Sequence, residues 1–199
     1  MPNSKPQWLN FNKDLRFIFG VFWLLFLGCT LYIYFFHAEL LQGQFERIAH
    51  TSIYLAYAFL FFLGFVRGFT LIPVTYLIIV GLLFVPPLPL FIITIGGVLV
   101  SSASVYYFFE FLNLDKLFDK KYSRQISRVR SALEKNELPI IIAWSAFPFL
   151  PTDLICYICG TLEVDIKKLL LGVFIGEGIM SAIYIFFGHY LFQYLHIIL

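Results

Sequence analysis

Residues 61–84 read FFLGFVRGFTLIPVTYLIIVGLLF, an apolar stretch that is interrupted at Arg67, Gly68 and Pro73. Apolar residues resume on both sides, so the interruption is unlike an aqueous loop. Irregular backbone at membrane depth is tolerated where it is buried in protein or lines a wet cavity. The pattern therefore predicts the tip of a re-entrant hairpin within residues 51–84.

The composition of the whole chain is that of a membrane protein. Its 199 residues are 60% hydrophobic and 13% charged, and 25 of them are phenylalanine. The mean hydropathy is +0.85. A soluble domain of this length needs far more polar surface. We therefore expect an all-α integral membrane protein.

Three further apolar runs predict about three full transmembrane helices, at residues 17–36, 88–112 and 169–198. A run of about 20 residues forms a helix of about 30 Å, which is long enough to span a bilayer. We interpret the first run as a retained helix, because no small-x-small cleavage site follows it. Residues 1–50 thus form an N-terminal transmembrane helix and loop.

A second interrupted stretch, residues 139–160, predicts a second re-entrant hairpin, because Pro148 and Pro151 break it. The two interrupted stretches align at an offset of about 79 residues. Each unit consists of a hairpin, a short turn and a spanning helix, which predicts a membrane domain at 51–199 with halves 51–112 and 139–198. The aligned pairs are Pro73 with Pro151, Gly81 with Gly160, and Gly96-Gly97 with Gly176-Glu177.

The markedly polar segment 113–138 joins the two halves and carries a net positive charge. Its apolar residues recur at helical spacing, so it is expected to form an amphipathic helix on the membrane surface. Basic side chains near a membrane surface attract anionic headgroups. The candidate contacts are Lys120, Lys121, Arg124 and Arg128.

The distribution of charge predicts the topology. With the N-terminus in the cytoplasm, the inner segments hold twelve of the fourteen Lys and Arg residues, as the positive-inside rule requires. The hairpins then enter from opposite faces. This arrangement is an inverted repeat, which places a binding site near the bilayer midplane.

Two motifs resemble the DedA superfamily, also called the VTT or SNARE-associated Golgi protein domain. They are RGFTLIP at 67–73 and PFLPTDL at 148–154, the latter followed by Tyr157 and Gly160. The resemblance covers roughly residues 51–190. It implies a lipid flippase or scramblase, since the family includes translocators of undecaprenyl phosphate and of phospholipids that are often linked to the proton motive force.

The chain departs from that family pattern at three places. Ser145 stands where relatives usually have an arginine before the second tip, and Glu110 where they often have a basic residue. Val74-Thr75-Tyr76 replaces a region in which many bacterial members carry a glutamate. If these groups bind headgroups or relay protons in relatives, that chemistry is in question here.

Arg67 is the sharpest candidate for a substrate-binding residue, together with Pro73, Pro148 and Pro151 at the two tips. An arginine at membrane depth is costly, so it faces protein or water, and its planar fork suits a lipid phosphate. The competing interpretations are that Arg67 reaches an interface or neutralises a carboxylate.

Glu177, Asp153 and Glu110 are the candidates for proton or ion coupling. Glu177 lies well inside the last helix, where burial disfavours its charged form, and it is also a candidate partner for Arg67 or a neutral residue in a packed seam. Asp153 is equally well placed to cap a helix. Glu110 lies near a helix end, from which it can reach the interface.

We expect transport of phosphate-bearing lipids. The alternatives are a proton- or ion-coupled transporter of a small solute and a non-catalytic membrane scaffold. The sequence shows no nucleophile–base pair, phosphate loop or metal-ligand spacing, so we expect no enzyme, cofactor or metal. The expected partners are anionic or phosphate-bearing membrane lipids, with homo-oligomer formation left open and no nucleic acid. The short chain and compact loops favour a bacterial inner membrane.

Overall fold

A computed structural model of the chain describes residues 13–36, 51–70, 72–112, 136–147 and 150–195, with residues 43, 47, 48 and 133. Within 13–36 it describes the side chains of residues 18–32. The described residues are helical apart from turns and short extended links, and they contain no strand. The expected all-α fold is confirmed. The predicted surface contacts Lys120, Lys121, Arg124 and Arg128, like Pro148, lie outside the described residues.

The described helices follow the chain in the order that the sequence predicts. They are α1 (Lys13–Phe36), α2 (Ile53–Arg67), α3 (Val74–Leu82), α4 (Pro87–Leu112), α5 (136–145), α6 (Thr152–Thr161), α7 (Ile166–Ala182), a π-helical segment (Ile183–Phe187) and α8 (Gly188–Tyr194).

Two stretches are long and apolar enough to cross a membrane. They are α4, with 26 residues, and the continuous helix Ile166–Tyr194, with 29 residues, which comprises α7, the π-helical segment and α8. The third predicted span corresponds to α1, which has 24 residues. The π-helical segment has no counterpart in the sequence prediction. Such segments occur frequently at functional sites.

The helices between these long elements are short, and two of them begin directly after a proline. α3 has 9 residues and α6 has 10, so each is about 15 Å long, half of a bilayer core. Pro73 and Pro151 are their N-caps, with φ of −61° and −64°. Proline fixes φ near this value and lacks an N–H, which suits the start of a helix. The structure places both breaks where the sequence predicts them.

α4 is the central element, since it packs against α2, α6 and α7 as well as α1 and α3. It packs closely against α2 at Gly97, where an added Cβ would be 3.3 Å from Gly64 Cα. In the second half, a Cβ on Gly176 of α7 would be 2.6 Å from Ser145 Cβ at the end of α5. Gly96-Gly97 and the aligned Gly176 therefore each lie at a close helix contact, where small residues permit close packing.

Candidate functional site

Three buried charged side chains converge from three different helices. Arg67 is the last residue of α2, Asp153 lies in the first turn of α6, and Glu177 lies in the C-terminal half of α7. Their exposed fractions are 3%, 1% and 5%, respectively. Isolated charges are rarely buried to this extent because desolvation is costly. Their convergence marks a built polar site inside an apolar protein.

Arg67 at the end of α2 pairs with Asp153 at the start of α6. Arg67 Nη1 donates a hydrogen bond to Asp153 Oδ2 at 3.1 Å. The sequence offered Glu177 as the partner of Arg67, but Glu177 Oε1 instead accepts a hydrogen bond from Thr152 Oγ1. The cap position of α6 belongs to Pro151, which leaves the Asp153 carboxylate to the arginine. The two residues lie 86 positions apart in sequence, and their contact links the end of α2 to the start of α6.

The ion pair leaves one edge of the guanidinium unused. Within the described part of the chain, Arg67 Nε and Nη2 have no hydrogen-bond partner, and neither has Asp153 Oδ1. The Oγ of Ser145 is buried and likewise unpartnered among these residues. Nε and Nη2 lie on the same edge of the guanidinium and form a fork that can bind two oxygens of a phosphate or carboxylate. The site therefore contains two hydrogen-bond donors on Arg67 and one acceptor on Asp153 that have no partner among the described residues.

These groups border a cavity of about 110 Å³. A space of that size holds several water molecules. The cavity lies between the two proline breaks, and it brings together the predicted residues Arg67, Pro73, Pro151, Asp153 and Glu177. Its further lining residues are Ile72, Val74, Thr75, Ser145, Phe147, Leu150, Thr152, Met180 and Tyr184.

Glu110 is the one predicted coupling residue that does not reach this cavity. It is half-buried near the C-terminal end of α4, which ends at Leu112, and it is absent from the cavity lining. Its role in coupling stays a prediction, without support from its position. Sequence reasoning missed Thr152, whose hydroxyl joins Glu177 to the start of α6. A threonine in an apolar run is too ordinary a signal to single out.

The turn after Arg67 exposes backbone carbonyls that no helix satisfies, and side chains from other elements bind two of them. Tyr157 OH of α6 donates to Gly68 O at 2.5 Å. Trp23 Nε1 of α1 donates to Phe69 O at 3.0 Å. Thr70 binds Arg67 O through both its N–H, at 2.8 Å, and its hydroxyl, at 2.9 Å. Buried backbone groups without a hydrogen-bond partner are costly, so these bonds stabilise the break after α2.

At the second tip, Pro151 O accepts from Leu154 N at 3.1 Å and from an additional side-chain donor. Trp144 Nε1 of α5 donates to Pro151 O at 3.2 Å, and Ala146 N donates to Ile142 O at 2.8 Å. Each tip thus has a tryptophan indole on one of its carbonyls. The two tips differ in charge, because α2 ends at Arg67 and α5 ends at Ser145.

Comparison with known proteins agrees with this architecture. A family model, the VTT domain, matches residues 71–190. The chain belongs to the VTT-domain family, the DedA/SNARE-associated Golgi protein family. The family resemblance seen in the sequence is confirmed, and the chain is a membrane protein of a transporter-like family. No curated protein and no solved structure matches it.

The matched residues contain most of the site but not all of it. Pro73, Asp153 and Glu177 lie inside the VTT domain, whereas Arg67 and Trp23 precede residue 71. The helices α1 and α2 therefore complete a site whose other walls belong to the family domain.

The ion pair predicts a non-additive effect on stability. Arg67→Met and Asp153→Leu each leave a buried charge without its partner, which costs about 3–5 kcal/mol of unfolding free energy. The double variant removes both charges and should recover most of that loss. Thermal unfolding in detergent measures all three.

The control is Lys168→Met. Lys168 is half-exposed, and its Nζ lies 2.5 Å from Glu137 Oε2, so its loss should leave the melting temperature unchanged because exposed pairs contribute little. Strictly additive losses in the double variant would contradict the pairing of Arg67 with Asp153.

Proposed function

We propose that the protein moves phosphate-bearing lipids across the bilayer as a flippase or scramblase. The observation that carries the proposal is the Nε–Nη2 edge of Arg67, a buried bidentate donor without a hydrogen-bond partner among the described residues, on a side chain that lines the cavity. A lipid headgroup can bind there while its acyl chains stay in the surrounding bilayer. The transporter-like character of the VTT-domain family supports the same function.

The ion pair suggests how a headgroup would be held and released. Asp153 occupies Nη1 and leaves the other edge to a phosphate, so headgroup binding need not first break the pair. Arg67 then shares its charge between a carboxylate and a phosphate. That sharing keeps binding weak enough for release, as transport requires.

Asp153 and Glu177 are proposed to couple the movement to protons. Both carboxyl groups are buried at the cavity, where a headgroup phosphate brings further negative charge. Like charges held close together disfavour ionisation, so a proton on either carboxyl would ease the approach of the phosphate. Glu177 is linked to the start of α6 through Thr152, and its protonation state can thereby influence the helix that carries Asp153.

The proposed topology has three full spans and two half-depth hairpins that enter from opposite faces, with the N-terminus in the cytoplasm of a bacterial inner membrane. Support comes from the lengths of α3 and α6 and from the positive-inside distribution of Lys and Arg. The basic segment 113–138 would then contact anionic headgroups on the cytoplasmic surface. A homo-oligomer is compatible with this topology.

Cysteine labelling tests the topology. The background carries Cys29→Ser, while Cys156 and Cys159 are fully buried. Pro86 and Lys167 are exposed, so cysteines at these positions report the two loops. In spheroplasts, a membrane-impermeant maleimide should label Pro86→Cys at once and Lys167→Cys only after permeabilisation. Labelling of both from the same side would contradict the oppositely inserted hairpins.

Reconstituted transport tests the function. Proteoliposomes with acyl-labelled phosphatidylglycerol and phosphatidic acid report transbilayer movement through dithionite quenching. Arg67→Lys keeps the charge but loses the bidentate fork, and a hydrogen bond to a charged group is worth about 1.5–3 kcal/mol. We therefore expect the initial rate to fall about tenfold or more.

The matched control is the same exchange in reverse at an exposed site, Lys168→Arg, which should leave the rate unchanged. Equal rates in wild-type protein and Arg67→Lys would refute the role of Arg67. If wild-type protein moves no lipid but takes up a solute along a proton gradient, and Glu177→Gln removes the pH dependence of that uptake, the chain is a coupled solute transporter instead.

A further inference from the structure

Trp23 reaches the first tip from α1, a helix that precedes the VTT domain in sequence. Its indole N–H holds Phe69 O, two residues beyond Arg67. The ring lies edge-on to Phe109 at 5.2 Å and to Tyr157 at 5.9 Å between centroids. Packing against aromatic neighbours fixes the direction of the N–H, so Trp23 binds the turn from a defined position.

α6 binds the same turn through two side chains. Asp153 binds the side chain of Arg67, and Tyr157, one helical turn later, binds the carbonyl of the adjacent Gly68. Residues four apart lie on the same helix face, so one face of α6 holds both the guanidinium and the backbone beside it. Tyr157 is also stacked on Phe109 of α4, with centroids 4.3 Å apart and ring planes at 20°.

The backbone of this turn packs closely against α4. An added Cβ on Gly68 would run into the hydroxyl of Ser101, and Ser101 Oγ donates to Phe65 O at 2.9 Å. α4 thus limits the turn on one side, α6 holds Gly68, and α1 holds Phe69. Neither Trp23 nor Tyr157 lines the cavity, so they act on Arg67 through the backbone that follows it.

The contact of α1 with the rest of the protein is narrow. Among its described side chains, those that are half-buried recur at helical spacing, while Ile18, Phe22 and Leu25 are exposed by 60% or more. The indole bond of Trp23 connects this half-buried face of α1 to the turn after Arg67. Loss of that bond therefore removes a direct polar contact between α1 and the turn.

We propose that Trp23 and Tyr157 form a tip latch, in which Trp23 is a positioning residue that sets the direction of the Arg67 guanidinium from outside the cavity. The proposal rests on the proposed function for its transport consequences, but the latch itself is a property of the fold. When the indole bond is lost, Phe69 and Thr70 gain freedom and Arg67 samples orientations that bind a headgroup less well. The N-terminal helix is then part of the headgroup site.

Trp23→Phe tests the latch, because it keeps an aromatic ring and removes the N–H. Hydrogen exchange in nanodiscs reports the amides of Phe69 and Thr70, which bond Val66 O and Arg67 O. Exchange there should rise roughly twofold to tenfold, the range that the loss of one net hydrogen bond implies, with the melting temperature little changed. The half-saturating mole fraction of labelled phosphatidylglycerol should rise by a similar factor while the maximal rate is kept.

The control is Trp144→Phe, which removes the indole bond to Pro151 O at the second tip. It should raise exchange near residues 152–155 and leave exchange at residues 66–70 as in wild-type protein.

The latch is overturned if Trp23→Phe leaves exchange at 66–70 unchanged. The positioning role is overturned if exchange rises there but the half-saturating mole fraction does not. If wild-type protein moves no lipid, the proposed function fails, and the exchange data still decide the latch.

Discussion

The buried pair between Arg67 and Asp153 is the interaction on which the arrangement of the site depends. It links the end of α2 to the start of α6, and both of these helices stop or begin inside an apolar protein. A buried pair of this kind is weak evidence for added stability, because desolvation offsets most of its attraction. A buried charge without its partner is strongly destabilising, so α2 and α6 must dock with Arg67 beside Asp153. The cavity exists where they meet.

A second requirement follows from the same burial. Wherever a helix stops inside an apolar protein, its free carbonyls need hydrogen-bond donors. Trp23 and Tyr157 supply them from two other helices at the turn after α2, and Thr70 binds Arg67 O from within that turn. The arginine and the carbonyls beside it are thus held by the same neighbouring helices.

The breaks in the helices could be predicted from the sequence, but the contacts that hold them could not. Proline fixes its own φ and lacks an N–H donor. The helix breaks at Pro73 and Pro151 could therefore be predicted from these residues alone. The partner of Arg67 depends on how the two halves dock, and the sequence left Glu177 as a candidate where the structure has Asp153. Trp23 and Tyr157 were hidden for a related reason, because aromatic residues make up 20% of the chain and only tertiary contacts distinguish the two that donate to the tip.

α2 ends at Arg67 and α5 ends at Ser145, so the helices that precede the two proline breaks differ in charge. Among the described residues the cavity lining therefore has one guanidinium, and we propose headgroup binding at its unpartnered edge. Mass spectrometry of lipids that co-purify with the protein tests this claim most directly, with Arg67→Met/Asp153→Leu as the comparison. The account predicts that wild-type protein retains a phosphate-bearing lipid which the folded double variant lacks. Identical lipid profiles for the two proteins would contradict it.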